Sequence, residues 1–397
     1  MCIGFADAKK SDRNFYIKIS HTRKEEFLMS MKFTCKKEDI TSAIGNVSKA
    51  VSPKSNIAAL EGIKLELKDG KLILTGYDLE IGITTEIDCT TQDSGELILN
   101  SRLFSESTRR MPSEIIEYTV DENLNMTIKG GNAEYQIPAM SAEEYPALPD
   151  IELTDPVAVG QSSLRSMINQ TVYAVSTNDA KPIMTGELFD IENGELNVVA
   201  IDGFRLAVRT EKIEYSENKK FIVPSKALKE ASGLLSDDDD KQCCIYVNTK
   251  HVLFDINGYR IFTRLLEGEF HNYRSSIPAE GSTNVSVKTS AMTQALERCS
   301  LLLNDKNKSP VKCRFENGYI NIECRTGIGK LEDSIEADIQ GSDLLIGFNN
   351  KYLLEALRAA DTDKVNISMN GSTKAVKITP SQGQHFVFIV MPLQIRS

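Results

Sequence analysis

The residues that could perform chemistry are few and widely spaced. None of the eight cysteines forms a C-x-x-C pair, and none of the four histidines accompanies a cysteine at zinc-site spacing. The segment Gly327-Ile328-Gly329-Lys330 lacks the spacing and the strand-to-helix context of a phosphate-binding loop. We therefore predict no catalytic residues, no cofactor and no metal ion. We interpret the cysteines as reduced thiols of a cytoplasmic protein.

Two carboxylates could in principle act as a pair. Asp78 and Asp202 each follow a predicted strand and lie 124 residues apart. The third position in this series is Thr326, which cannot share an acid–base role. Because aspartate often accepts hydrogen bonds from the backbone of a turn, a structural turn role is favoured over catalysis.

Basic residues indicate a different chemistry, the binding of phosphate groups. Lys54, Lys181 and Lys308 lie in predicted loops and are spaced by 127 residues. The predicted helical segments 36–51, 101–110, 160–176, 225–235, 288–303 and 349–360 contain thirteen basic and six acidic residues. The whole chain has a net charge of -10, which taken alone argues against a nucleic-acid partner. Segregation of positive charge in the helices favours a phosphate-backbone surface, although helix propensity also enriches lysine and arginine there.

The elements that would position these residues repeat three times. Asp69-Gly70, Asn193-Gly194 and Asn317-Gly318 each precede alternating apolar residues, and the glycines are spaced by 124 residues. Such a pair is a strong β-hairpin signal, because the turn requires positive φ angles. We interpret the chain as three copies of one domain.

Each copy is predicted to contain two helices and several antiparallel strands, an α+β arrangement. Strands are predicted at 115–120, 124–129 and 344–348, among others, and first helices at 38–51, 162–176 and 289–303. Ser101, Ser225 and Asn349, again spaced by 124 residues, are predicted N-caps of the second helices. The predicted domains are 31–151, 152–279 and 280–397, with residues 1–30 as a peripheral extension. The run Asp237-Asp238-Asp239-Asp240 is predicted to be a solvated loop.

Several landmarks resemble one family, the β sliding clamps of bacterial DNA polymerase III. They are Met31-Lys32-Phe33-Thr34, the segment 200–207 (Ala-Ile-Asp-Gly-Phe-Arg-Leu-Ala), Phe270-His271-Asn272-Tyr273 and Val390-Met391-Pro392-Leu393. The resemblance implies a DNA-clamp fold and a head-to-tail homodimer that forms a ring around duplex DNA. It also implies a processivity factor in DNA replication, bacterial and nucleoid-associated, that is not an enzyme.

The resemblance further implies partners and binding residues. The partners are duplex DNA of any sequence, a second copy of the chain, a clamp loader, the replicative polymerase and other proteins with a clamp-binding motif, but no membrane. The implied DNA-facing residues are Lys54, Lys181, Lys308, Arg102, Arg165 and Arg298. The implied peptide pocket between the second and third domains comprises Met184, Ile201, Gly203, Phe204, Arg205, Leu206, His271, Ser276, Asn349, Tyr352, Ala375, Ile389, Met391, Pro392 and Leu393.

Some positions depart from the family pattern. His271 stands where the family usually has proline, and Gln394 where a basic residue is common. The alternative function is a repeat-built DNA-processing enzyme with its active site between the second and third domains, where a pocket is expected in either case. A nuclease of this kind would require a metal-binding carboxylate cluster, which the sequence does not provide.

Overall fold

The computed structural model describes residues 31–303 and 309–395. The predicted extension 1–30 and the loop residue Lys308 lie outside these ranges. Within them, the same order of elements occurs three times: a strand, a helix, antiparallel strands, a second helix and three closing strands.

The first copy contains β1 (Lys32–Lys36), α1 (Lys37–Val47), β2 (Gly62–Lys68), β3 (Lys71–Tyr77), β4 (Ile81–Asp88), β5 (Thr90–Thr91), β6 (Gly95–Asn100), α2 (Ser101–Arg109), β7 (Ile115–Val120), β8 (Asn125–Gly130) and β9 (Ala133–Ser141). The second contains β10 (Val157–Gly160), α3 (Gln161–Thr171), β11 (Gly186–Glu192), β12 (Glu195–Ile201), β13 (Arg205–Lys212), β14 (Lys219–Pro224), α4 (Ser225–Ser232), β15 (Gln242–Val247), β16 (His251–Ile256) and β17 (Tyr259–Arg264). The third contains β18 (Thr283–Lys288), α5 (Thr289–Ser300), β19 (Val311–Glu316), β20 (Tyr319–Thr326), β21 (Gly329–Glu336), β22 (Asp338–Gln340), β23 (Leu344–Phe348), α6 (Asn350–Ala359), β24 (Lys364–Met369), β25 (Val376–Pro380) and β26 (Phe386–Val390). This repetition confirms the predicted α+β class with three similar domains.

The three predicted hairpins have the expected turn geometry. The turn residues have φ angles of 50° and 76° at Asp69-Gly70, 54° and 77° at Asn193-Gly194, and 51° and 80° at Asn317-Gly318. Two consecutive positive φ angles define a type I′ turn, whose twist matches that of the strands it joins. The strands on either side pair as Lys68↔Lys71, Glu192↔Glu195 and Glu316↔Tyr319.

The predicted helix caps are correct in part. Asn349 is the N-cap of α6, and its side chain accepts a hydrogen bond from the Lys351 backbone N–H at 3.0 Å. In α2 the cap is Asn100, whose amide oxygen accepts from the Leu103 N–H at 3.1 Å, so Ser101 is the first helical residue. Helix α4 likewise begins at Ser225. Asparagine and serine are both good caps, so adjacent candidates cannot be separated by residue type alone.

The described residues of 31–159, 233–235 and 240–264 form one compact unit. Its sheet has thirteen strands in the order β10-β15-β16-β17-β4-β3-β2-β6-β9-β8-β7-β1-β5. Strand β17 of the second copy pairs with β4 of the first, with Ile261 opposite Ile83. Buried rings fill the space under α2: Tyr118 stacks on Phe33 at 4.8 Å and meets Phe104 edge-on at 6.0 Å.

The described residues of 160–232, 236–239 and 265–395 form the other unit. Its larger sheet has nine strands in the order β14-β11-β12-β13-β26-β25-β24-β18-β22, and the smaller has four, in the order β21-β20-β19-β23. The final strand β26 pairs with β13 of the second copy, with Leu206 opposite Ile389. The second and third copies therefore share a continuous sheet, and residues of both contribute to one buried core. None of the described helices is long and apolar enough to cross a bilayer.

Candidate functional site

The residues that begin β4 and β13 follow turns held by aspartate. Asp202 Oδ1 accepts from the backbone N–H groups of Phe204 and Arg205 at 2.8 and 3.0 Å. Asp78 Oδ1 accepts equivalently from Glu80 and Ile81 at 3.0 and 2.7 Å. These contacts support the predicted turn role of both carboxylates. In the third copy, Thr326 Oγ1 accepts from the Ile328 N–H at 3.3 Å.

Arg205 is a buried charged side chain of this region with several partners. Its guanidinium is 8% exposed and binds Asp202 Oδ2 at 2.9 Å and the Glu355 carboxylate. It also lies over the rings of Tyr352 and Tyr173, at 4.5 and 5.3 Å from their centroids. A guanidinium withdrawn from water requires such partners, since an unpaired buried charge is strongly destabilising. Burial also raises the pKa of the Tyr352 hydroxyl above its usual range.

An apolar cluster covers the face of β11–β13 opposite the helices. Its buried members are Leu188, Val199, Ile201, Leu206, Val208, Ile222, Tyr273 and Ile389, with Ile183, Met184, Leu266, Phe270, Ile277, Ala375 and Val387 partly buried against them. We call this set the outer cluster. Five predicted pocket residues belong to it: Met184, Ile201, Leu206, Ala375 and Ile389. The outer cluster therefore supplies an apolar wall of the predicted pocket.

The end of the chain joins this wall to the Arg205 region. Met391 N–H donates to the Phe204 carbonyl at 2.8 Å, and Leu393 N–H donates to the Gly347 carbonyl at 2.8 Å. Phe204 is 57% and Met391 37% exposed. The hydrogen bond between their backbones therefore places two large, solvent-exposed apolar residues next to each other. Phe204 also stacks on Tyr352 at 6.2 Å. Pro392 lies between the two bonded residues of the chain end.

Gly203 allows the sharp turn before Phe204. Its φ angle is 93°, in the left-handed region that favours glycine, and no atom lies within 4 Å of where a Cβ would be. Backbone conformation rather than crowding therefore requires glycine at this position.

The remaining predicted pocket residues differ in their availability. His271 Nε2 lies 2.9 Å from Ser276 Oγ. The segment from His271 to Ser276 lies beside the outer cluster, to which its residue Tyr273 belongs. We call this segment the rim. Asn349 is less available for a partner, because its side-chain oxygen already caps α6.

The predicted DNA-facing residues fall into two groups. Lys54, Arg102 and Lys181 are exposed, and no ion pair involves them within the part of the chain that the structure describes. Arg165 instead pairs with Asp237 at 2.6 Å, and Arg298 Nε donates to Asp333 at 2.8 Å. Lys308 lies outside the described residues.

The positive charge of the helices is smaller than predicted. Within the observed helix bounds there are nine basic and six acidic residues. The difference arises because the predicted segments were too long: Lys36, Lys49, Arg110 and Lys288 lie at helix caps or in the adjoining 3-10 turn. The cationic excess therefore extends from the helices to their ends.

The acidic run after α4 is exposed, as predicted, but it also contacts α3. Asp237 is 85% exposed and holds Arg165, and Asp239 accepts a hydrogen bond from the Ser162 hydroxyl. This acidic loop thus pairs with Arg165, which the family resemblance implies to be DNA-facing.

Three residues that support the candidate site were not predicted from the sequence. Tyr173 and Glu355 fix Arg205, and Tyr273 lies in the outer cluster. Their signals were indirect: Glu355 lies one helical turn after Tyr352, and Tyr273 lies within the family-like segment 270–273.

The cysteines agree in part with the expected reduced state. Cys35, Cys89, Cys243, Cys299, Cys313 and Cys324 are free thiols. Cys244 departs from the expectation because it is disulfide-bonded. Within residues 31–303 and 309–395, no three His, Cys, Asp or Glu side chains lie together as a metal site would require.

Three repeated α+β domains, with an apolar cluster beside the pairing of β13 and β26, define a repeat-built binding protein. Its family follows from sequence comparison. The N-terminal, central and C-terminal domains of the DNA polymerase III beta subunit family match residues 31–149, 158–272 and 274–394. The chain belongs to this family.

Individual relatives agree. The beta sliding clamp of Bacillus subtilis (strain 168) is 32% identical over 378 residues, which cover 92% of this chain and 100% of the relative. The crystal structure of the DNA polymerase sliding clamp from Bacillus subtilis superposes with a TM-score of 0.89 at 31% identity, covering 93% of this chain and all of that one. A putative DNA polymerase III beta subunit from Eubacterium rectale has a TM-score of 0.87 at 29% identity, covering 91% of this chain and 99% of that one.

Proposed function

We infer that this chain is a sliding clamp, a processivity factor of DNA replication that surrounds duplex DNA and tethers the replicative polymerase. The inference is carried by the match of all three domains to relatives named as sliding clamps. These names favour a non-enzymatic clamp over a DNA-processing enzyme. The clamp loader and other proteins with a clamp-binding motif are the further proposed partners, on the bacterial nucleoid.

We propose domain boundaries at 31–151, 152–279 and 280–397. The first boundary falls in the gap between family matches at 150–157, whereas the gap at 273 precedes the second boundary. The two compact units do not contradict them, because strand pairing between copies joins parts of the second domain to each neighbour.

The proposed assembly is a head-to-tail homodimer that closes into a ring. Strand β21 is an edge of its four-stranded sheet. Near it, Leu301 is 82% and Ile328 73% exposed. An edge strand beside large exposed apolar side chains is suited to association with another chain, and a second copy is the proposed occupant.

Binding of DNA is proposed to occur through dispersed phosphate contacts. Lys54, Arg102 and Lys181 are exposed cations suited to this role, and Arg165, Arg298 and Lys308 are the other proposed contacts. Phosphate contacts position a protein without reading sequence, so the clamp is held by topology and slides.

The peptide pocket is proposed to lie where β13 of the second domain pairs with β26 of the third. The outer cluster provides an apolar wall, and exposed Phe204 and Met391 provide a surface that a partner peptide would cover. Thioether and aromatic side chains accept varied apolar partners, which suits a site used by several proteins.

The test compares circular and linear DNA. The protein, loaded onto nicked circular duplex with a clamp loader and ATP, should remain bound through a high-salt wash and be released when the circle is cut. Equal retention on linear DNA would refute encirclement, and metal-dependent cleavage of the DNA would support the enzyme instead.

A further inference from the structure

A short segment crosses the outer cluster and carries the rim. It begins at Leu266, whose N–H donates to the Ile222 carbonyl at 2.9 Å. It continues through partly buried Phe270 to a 3-10 turn at Tyr273–Ser276. The side chain of Tyr273 is 4% exposed, although its neighbours His271 and Arg274 are exposed. The rim is thus anchored to the sheet through Tyr273.

The anchor is a buried carboxylate in strand β11. Asp190 is completely buried, and its Oδ2 accepts from the Tyr273 hydroxyl at 2.8 Å. The same oxygen lies 2.9 Å from Arg274 Nη1, while Arg274 Nη2 lies 2.9 Å from Glu192 Oε2. One guanidinium therefore bridges two carboxylates two residues apart on one face of β11.

Two further contacts complete the arrangement. The Arg274 guanidinium lies 5.0 Å from the centroid of the Tyr273 ring. The second oxygen, Asp190 Oδ1, accepts no hydrogen bond and has Lys220 Nζ at 3.4 Å. Most of the compensation for burying this carboxylate therefore comes from Tyr273 and Arg274, both on the rim segment.

The energetics oppose any displacement of the segment. A carboxylate buried without its partners is strongly destabilising, and hydrogen bonds to charged groups are stronger than neutral ones. If the rim segment lifted away from the sheet, Asp190 would lose both a hydroxyl and a guanidinium. The segment is therefore held to the sheet whether or not a partner covers the outer cluster.

We propose that Asp190 and Arg274 are positioning residues of the peptide pocket. They affect the affinity for partner peptides without touching the peptide, through the contacts that fix the rim to β11. This inference deepens the proposed function and rests on the pocket lying at the outer cluster. The pair acts by keeping His271 and Ser276 beside the outer cluster, so a peptide binds a preformed surface and does not have to order the rim.

The first variant is Asp190→Asn, which removes the charge with little change in shape. A fluorescent peptide from the polymerase's clamp-binding segment should bind about tenfold more weakly than to wild type, as expected for losing a charged hydrogen bond. Hydrogen exchange should accelerate at residues 270–277, and retention on circular DNA should be unchanged. The matched control is Glu66→Gln, at the equivalent position of the first copy, which should bind peptide like wild type.

Two further variants make the test specific. Arg274→Lys keeps a cation near Asp190 but cannot bridge to Glu192, so a smaller loss of peptide affinity is expected. Arg274→Gln combined with Asp190→Asn removes both charges of this pair. The loss of peptide affinity in the double variant should therefore be smaller than the sum of the losses in the two single variants. Because Arg274 is about half exposed, its variants provide the measurement even where Asp190→Asn does not fold.

The outcomes separate this inference from the function. If wild type binds the peptide and the folded Asp190 and Arg274 variants bind equally well, the positioning role is wrong and the pocket stands. A fall in thermal stability with unchanged peptide affinity would also refute it. If wild type retains circular DNA but does not bind the peptide, the pocket itself is wrong, and the positioning role falls with it.

Discussion

Glu187 should make the protein less stable as the pH rises. This side chain is completely buried in β11. Its Oε2 accepts from the Thr171 hydroxyl at 2.5 Å, whereas its Oε1 has no hydrogen-bond partner. Burial raises the pKa of this carboxyl from 4.5 to about 8, although Thr171 and Lys229 partly oppose the shift. The carboxyl is therefore largely protonated in the folded protein at neutral pH.

The sign follows from proton linkage. Between pH 4.5 and 8 the folded state holds a proton that the unfolded state releases, so unfolding becomes easier as the pH rises. The stabilising contribution of the protonated Glu187 carboxyl is fully present below its unfolded pKa and is lost as the pH rises through its folded pKa. With these two pKa values, the loss between roughly pH 5 and pH 9 amounts to about 4 kcal/mol.

The variant Glu187→Gln imitates the protonated carboxyl at every pH. It should match wild type near pH 5 and exceed its free energy of unfolding by about 4 kcal/mol near pH 9. The assay is urea denaturation of both proteins at several pH values. Glu195→Gln is the matched control, because Glu195 is exposed on the adjoining hairpin. Parallel pH profiles for Glu187→Gln and wild type would refute the reasoning.

Three other changes test the binding surfaces. Deleting Met391–Ser397 removes the two backbone hydrogen bonds of the chain end, so it should abolish binding of polymerase-derived peptides while leaving a dimer by sedimentation; unchanged peptide affinity would refute the pocket. Asp237→Asn should release Arg165 and strengthen the weak binding of short linear duplex DNA about two- to fivefold, the range for a surface ion pair; an unchanged affinity would show that Arg165 does not contact phosphate. Leu301→Asp, at an 82% exposed position, should shift the sedimenting species to monomer, and an intact dimer would exclude this surface from the interface.

Local features of the fold were predictable because they depend on neighbouring residues. The hairpin turns required positive φ angles, which glycine and asparagine tolerate, so their positions followed from residue type alone. The strands Ile115–Val120 and Leu344–Phe348 have the predicted bounds. Helix ends were predicted less well: α1 ends at Val47 and α3 at Thr171, each followed by a 3-10 turn that continues the apolar pattern.

The candidate site was predictable only through family resemblance. The residues of its apolar wall come from β11–β14, β26 and the segments before β11, after β17 and before β25, and no local pattern relates them. The ion pairs were out of reach for a similar reason. The carboxylate partners of Arg165 and Arg298 lie 72 and 35 residues away in sequence.

The sequence by itself determined the threefold repeat, the α+β class and the turns, because spacing and backbone preference are properties of short segments. Only the tertiary structure decided which charges are neutralised, that Asp190 holds the rim, and that Arg205 lies between two rings and two carboxylates. Those outcomes depend on packing between segments that are far apart in the chain. Arg205 meets Glu355 of the third copy, whereas Arg165, Asp190 and Arg298 find their partners within their own copies. Burial then requires each charge among them to find a partner.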